Sequence, residues 1–512
     1  MASVQVQTPN ETKYVPVTTP SGVSVHDGSA DHTKAAQLAV KPNWILYASV
    51  LVALIQPLQY GWSTSQLNLS TFNDTDECNA RPVPDGRCLM FPGHSKLEWT
   101  FAVNAWTVGG MLGSLSTGYF MDKFGRKKVM MANCGFMIVG AIIEAVVSNI
   151  WVFVVGRLIA GLASGCSTGV VGAYINEITP PRLRNSLGVG LQISITIGIL
   201  LVGLTFFFAN TSSGWRYIAG FPIILAGLFL VLSSFAMVES PAWLLTKGRR
   251  EEAERELARL FGEENVHVAL GWLESSEKTD VEHAQPSTTD LEEIAQFNGN
   301  NVALLLSPIF FRQLVTAIGI AATQQLTGIN AVFFYSSDIF SKAGFSDDRI
   351  GTLIVNIVNV LPTFFSGWLA NKFGNRKMIL SGMVGMFISA IGMTISLVAG
   401  VQALSIVFTA TYVAAFGVSL GPLLWVVTAD LFPDSIRGTA TSICIGCSWL
   451  SNLIVGISYP YIADALDDYG FVPFVCTLAI FYVFVFKMVP ETSGKTSEEI
   501  QAGFRALRKQ KN

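Results

Sequence analysis

Long apolar runs alternate with short polar breaks through most of the 512 residues. Runs of about 20 residues, enough for a helix to cross ~30 Å of hydrocarbon, fall at roughly 43–62, 98–121, 128–147, 150–175, 187–209 and 215–238. After a polar stretch, six more follow at roughly 309–336, 349–370, 378–399, 402–429, 438–461 and 470–489. The pattern predicts an all-α membrane protein with twelve transmembrane helices. It divides the chain into a tail, 1–42, a six-helix bundle, 43–238, a polar linker, 239–306, a second six-helix bundle, 307–489, and a tail, 490–512. In the linker, Ala253, Leu257 and Leu260 share one face and Glu251 precedes Arg255 by four, so this stretch reads as a helix. The Ser/Thr/Glu/Gly content from about 275 to 301 predicts a flexible tether, and the first 40 and last 15 residues read as disordered on the same grounds.

Composition agrees: 51% of residues are hydrophobic, 13% are charged, and the mean hydropathy is +0.47. A net charge of −3 sets nucleic-acid binding aside, since that needs a basic face on a soluble domain. An even number of spans puts both termini on one side. Lys123, Arg126, Lys127 and Lys128 after span 2, with Lys372, Arg376 and Lys377 after span 8, make that side the cytoplasm. The loop at 63–97 then lies outside. Its sequons make Asn73 and Asn68 candidate glycan sites, and Cys78 and Cys88 in the same loop are either bridged or two free thiols.

Three landmarks recur at nearly one offset. Asp122-Lys123-Phe124-Gly125-Arg126 corresponds to Asn371-Lys372-Phe373-Gly374-Asn375, 249 residues on. Glu177, Pro180 and Arg184 correspond to Asp430, Pro433 and Arg437 at 253, and Glu239 to Glu491 at 252. Six spans per repeat gives both halves the same orientation, so the repeats are parallel, about an axis along the membrane normal, with a site between them at mid-membrane.

These residues resemble the sugar porters of the major facilitator superfamily, and within them the facilitative glucose transporters. The matches are Asp122 to Lys127, Tyr174-x-x-Glu177-x-x-Pro180 with Arg184, Val238-Glu239-Ser240-Pro241, Gln324-Gln325-Leu326-Thr327-Gly328-Ile329-Asn330, Gly421-Pro422-Leu423-Leu424-Trp425, and Pro490 to Gly494. The resemblance implies the major facilitator fold, two parallel six-helix repeats, and facilitative uniport of a hexose, glucose first, across the plasma membrane by alternating access. No cofactor or metal is called for, the partners are the hexose and the bilayer, and oligomeric state is not legible.

A sugar site needs amides that both donate and accept, with an aromatic plane for stacking. Midplane polar residues are of that kind: Gln192 and Thr196 in span 5, Asn356, Asn359 and Thr363 in span 8, Trp425 in span 10, and Ser448, Trp449 and Asn452 in span 11. Gln325 and Asn330 lie about 140° apart on an ideal helix, and Gly328 between them permits the unwinding that would aim both at one ligand. Gly421-Pro422 would break span 10 similarly. By resemblance Gln192, Gln324, Gln325, Asn330, Asn359, Trp425 and Asn452 bind the hexose, while Trp449 reads as packing or gate. Asn356, Thr196 and Ser448 read equally well as interhelical glue.

Asp122, Arg126, Glu177, Arg184, Glu239, Arg376, Asp430, Arg437 and Glu491 mark the cytoplasmic ends of the spans. They read either as interfacial anchors or, by their repetition and by resemblance, as ion pairs that hold the inside closed while the site faces out. Several positions depart from the family pattern. Asn371 and Asn375 replace charges, Asn185 replaces a Gly, Leu424 replaces a Pro, and Gly417 stands where related carriers have an acid, which thins the second half's network. Ala321-Ala322-Thr323 departs from the triplet of glucose-selective relatives, so fructose or a broader hexose range stays open.

An enzyme would need a nucleophile and base or metal ligands, yet the histidines lie outside the spans. A nutrient sensor would carry a long signalling tail. A proton-coupled symporter needs an ionisable group near the sugar. Ser63 stands where such symporters have an Asp, and Glu144 in span 3 is expected at the outer interface.

Overall fold

The computed structural model describes residues 40–72, 78, 82, 83, 88–271, 273, 301–342, 344, 347–495 and 497–509. The tether at 275–300, Asn73 and all but the end of the first tail lie outside them. Every regular element among the described residues is a helix. The spans are Trp44–Ser65, Lys96–Phe124, Arg126–Val146, Ile150–Ile178, Ser186–Thr205 and Gly214–Ala236, then Phe311–Ser341, Asp348–Phe373, Asn375–Val398, Gln402–Asp430, Asp434–Leu466 and Val472–Met488. Ten of these stretches are long and apolar enough to cross a membrane. Val472–Met488 is apolar but has 17 residues. Lys96–Phe124 has 29, with Asn104, Thr107, Ser114 and Thr117 buried toward its neighbours.

Packing repeats with the sequence. Span 1 lies against 5, 2 against 4, and 3 against both 4 and 6; in the second half 7 lies against 11, 8 against 10, and 9 against both 10 and 12. Across the halves, span 2 meets 11 and span 5 meets 8. Each contact is thus matched by its partner six spans on, as a duplicated bundle requires.

The repeat extends to hydrogen bonds. Gly125 and Gly374 join spans 2 to 3 and 8 to 9 at φ of 94° and 93°, a region where side-chain-bearing residues are strained. Beyond each turn a helix begins with unpaired backbone N–H groups. Glu239 accepts those of Arg126 and Lys127 at 2.9 and 3.1 Å, and Glu491 those of Asn375 and Arg376 at 2.8 and 3.2 Å. A carboxylate is well placed there, because the helix dipole favours negative charge at the N-terminus.

Two polar stretches take their shape from small apolar stripes. The linker helix runs Arg250–Phe261, with Ala253, Leu257 and Leu260 buried. The C-terminal tail, expected to be disordered, contains the helix Ser497–Lys509. Its Ile500 and Phe504, four residues apart, are buried, and Gln501 bonds Leu431 O and the Gln313 side chain. Mean polarity hides a stripe of two residues that is enough to dock one face.

Candidate functional site

Span 7 is two helices. The first ends at Leu326, Gly328 turns the chain at φ 93°, and the second begins at Ile329. A Cβ on Gly328 would enter the Phe474 ring, so the turn is specific to glycine. Tyr412 OH bonds the freed Thr327 carbonyl. Span 10 also breaks, at Ser419 (φ −128°, ψ −98°), two residues before Gly421-Pro422. Pro422 then falls in the first turn of the new helix, where no N–H is needed.

The two breaks face each other and are tied by Gln324, whose Nε2 donates to Leu420 O and Gly421 O, both at 3.0 Å. Gln325 Nε2 donates to Gln324 Oε1 and Ser448 Oγ, each at 3.0 Å, and Asn330 Nδ2 donates to Gln325 Oε1. The turn therefore brings Gln325 and Asn330 together. Gln324, expected as a ligand, uses its amide at both ends to hold the helix breaks.

Around these amides lies a cavity. Tyr60, Thr64, Thr168 and Gln192 line it from the first half, and Gln324, Gln325, Asn330, Trp425, Ser448, Trp449 and Asn452 from the second, with Ile195, Ile199, Ile329, Phe333 and Phe416 between. No carboxylate, histidine, lysine or arginine is among the lining residues. Trp425 Nε1 and Asn452 Oδ1 are buried without a hydrogen-bond partner. Asn359 does not line the cavity, yet it is 1% exposed and both its amide atoms are unpartnered. Buried polar groups are nearly always satisfied, so this set is shaped for something that supplies donors and acceptors. A neutral polyhydroxylated ring fits: hydroxyls both donate and accept, and its apolar face suits Trp and Tyr.

Asn356 behaves differently, since its Nδ2 bonds Ile199 O at 3.4 Å across spans 8 and 5. Thr196 bonds its own helix at Ile193 O. Trp449, read as packing or gate, lines the cavity as well. Tyr60 and Thr64 were missed; their place in the first span beside Gly61 is the signal that could have found them.

On the side of the 63–97 loop the halves are bonded together. Ser65 Oγ donates to Phe333 O at 2.9 Å, Asn68 Nδ2 to Ser336 Oγ at 2.8 Å, and Ser70 N to Ser337 Oγ at 2.8 Å. Lys96 pairs with Asp464 across spans 2 and 11. Asn68, read as a glycan site, is buried in this conformation with its side-chain nitrogen bonded, because the chain folds back into the protein after Ser65. In the same loop Cys78 and Cys88 form a disulfide, Cα–Cα 5.2 Å.

Bonds of the charged landmarks at the opposite ends are found within each half. Arg126 pairs with Glu177 at 2.7 Å and with Asp122 at 3.6 Å, and Ser240 donates to Glu177. Arg184 donates to Thr179 O, Arg437 to Ala429 O and Phe432 O, and Arg376 to Phe486 O. In the second half Asn375 stands where the first has Arg126, and its amide bonds Thr492, which also bonds Asp430. Glu144 lies near the outer end of its helix, as expected, and it is 2% exposed inside the bundle, where Gln66 donates to it.

The chain matches the family described as "Sugar (and other) transporter" over residues 44–504. It belongs to that family. It is 34% identical over 426 residues to the chicken facilitated glucose transporter member 2, covering 80% of this chain and 76% of the relative. It is 32% identical over 477 residues to the human member 4, covering 90% of each, and 33% identical over 407 residues to the glucose transporter GlcP of Staphylococcus epidermidis, covering 78% and 87%. Among solved structures, the proton:xylose symporter XylE bound to 6-bromo-6-deoxy-D-glucose superposes with a TM-score of 0.72 at 25% identity, covering 89% of this chain and 98% of that one. The sugar transporter is thus a multi-pass membrane protein of the major facilitator superfamily, and not an enzyme.

Proposed function

We propose that this sugar transporter is a passive carrier of a hexose, glucose first, in the plasma membrane with both termini in the cytoplasm. The observation that carries the reading is the neutral cavity, whose unpartnered groups are amides and an indole. The two six-helix bundles, 43–238 and 307–489, rock about that cavity. In the conformation described, bonds from the end of span 1 and the residues after it to span 7 shut the side of the 63–97 loop. In the opposite state Arg126, Glu177, Arg184, Asp430, Arg437 and their neighbours close the inner side. The relatives named for glucose support the substrate class.

Proton-coupled sugar transport is the second reading, favoured by the burial of Glu144 and by the likeness to a proton:xylose symporter. Against it, Glu144 is not among the residues lining the cavity, and Ser63 cannot exchange a proton at working pH.

The test is uptake of labelled hexoses into proteoliposomes with unlabelled sugars as competitors. Glucose should compete, and Gln325→Ala or Asn330→Ala should weaken binding by about 1–3 kcal/mol while the protein still reaches the membrane. Near-normal binding in both variants would move these amides into packing roles.

A further inference from the structure

Two charged side chains lie inside the bundle yet outside the cavity. Glu144 of span 3 is 2% exposed and Arg157 of span 4 is 1% exposed. Isolated charges in such a place are costly, and when retained they usually serve function. The backbone makes room for them: a Cβ on Gly156 would lie 2.9 Å from Glu144 Cγ.

Each charge is anchored to the end of span 1. Gln66 donates to Glu144, and Arg157 Nη1 donates to Ser63 O at 3.1 Å. The helix ends at Ser65, so that carbonyl is one of its last, and the guanidinium caps it where the dipole favours a cation. Arg157 Nε is buried without a partner, and Glu144 acts on Arg157 through space rather than by a direct ion pair. Arg216 of span 6 is the other cation nearby, and it is held by Ala145 O and Val147 O at 2.9 and 2.6 Å.

Beyond Arg157 the contacts lead to the cavity. Its Cζ lies 5.6 Å from the centroid of Trp106, which is fully buried. Trp106 stacks on Tyr60 at 5.3 Å and meets Trp449 edge-on at 5.0 Å. Tyr60 and Trp449 line the cavity, from opposite halves.

We propose that Glu144 is a positioning residue for the sugar: its negative charge sets Arg157 over Trp106 and so fixes the aromatic wall made by Tyr60 and Trp449. The guanidinium has one fixed hydrogen bond. Its remaining freedom is settled between the field of Glu144 and the face of Trp106, and both act strongly at low dielectric. Without the carboxylate, Arg157 turns toward backbone carbonyls, and Trp106, still held by its hydrogen bond to Ser164 Oγ at 3.0 Å, loses the cation over its face. The proposal rests on the hexose reading of the cavity.

The test uses the full-length protein in proteoliposomes, reading glucose KM and kcat, with thermal stability alongside. Glu144→Gln keeps a partner for Gln66 but removes the charge, and should raise KM about tenfold with kcat little changed. Glu144→Asp should recover most of the affinity. The double variant Glu144→Gln with Arg157→Gln removes the stranded charge and should regain stability without regaining affinity. Where Glu144→Gln does not fold, Arg157→Lys keeps the charge, loses the flat face over Trp106, and should show the same rise in KM.

A wild-type KM in Glu144→Gln, or in Arg157→Lys where that variant carries the test, overturns the proposal. So does a double variant that regains affinity together with stability. A wild-type protein that moves no hexose overturns the underlying reading instead, and shows itself before any variant is compared.

Discussion

At the scale of single residues, the distinction that matters is between polar groups that hold helices together and polar groups left waiting. Asn356 and Asn359 sit on one face of span 8 and look alike in sequence, yet the side-chain amide of the first bonds Ile199 O and that of the second bonds nothing. Opposite outcomes follow. Asn359→Leu removes two unsatisfied buried groups, so the empty protein should melt at the same or a higher temperature. Asn356→Leu should cost about 0.6 kcal/mol of stability and leave binding unchanged. Calorimetry with and without glucose checks both, and a destabilised Asn359→Leu would place that amide in packing. The residue types of the site were legible, because a neutral sugar calls for amides and an indole at mid-membrane. Which amides are free was not, since that depends on partners such as Ile199 or Leu420, far off in sequence.

At the scale of the element, span limits followed from apolar runs, and the break in span 7 from the angle between Gln325 and Asn330. Glu144 was placed near the outer end of its helix, but its burial was not legible, because its surroundings come from Gln66 and Arg157, 78 residues upstream and on the next helix. An arginine inside the apolar run of span 4 was the overlooked sign. The C-terminal helix was missed for the opposite reason: its packing depends on Ile500 and Phe504 alone in a polar stretch. For span 7 the structure makes a sharp prediction. Gly328→Ala places a Cβ at φ 93° and into Phe474, so it should cost more than 1 kcal/mol and disturb the Gln325–Asn330 pair. Transport should fall while the other spans still insert. A stable, fully active Gly328→Ala would mean that the turn is not needed to form the site.

At the scale of the whole molecule, closure on one side and access from the other must compete. The bonds from Asn68 to Ser336 and Ser337 belong to the shut state on the loop side, so Asn68→Ala should shift the population toward opening there by about 1–3 kcal/mol. Faster labelling of a cysteine placed at Phe333 by an impermeant thiol reagent applied from that side alone would report it, and unchanged labelling would remove Asn68 from the gate. The two-fold pattern of helix pairs was foreshadowed by the recurring landmarks, although the capping role of Glu239 and Glu491 emerged only from coordinates. The central claim concerns energy: a carrier whose cavity holds no titrating group can only equilibrate its sugar, because both sides are equivalent for a neutral substrate. The direct measurement is the steady-state ratio of internal to external hexose in proteoliposomes under an imposed pH gradient, with counterflow as the control for activity. Passive transport predicts counterflow and a ratio of one whether or not the gradient is present. Hexose concentrated inside by the gradient, with that drive lost in Glu144→Gln, would contradict it and make Glu144 the coupling group.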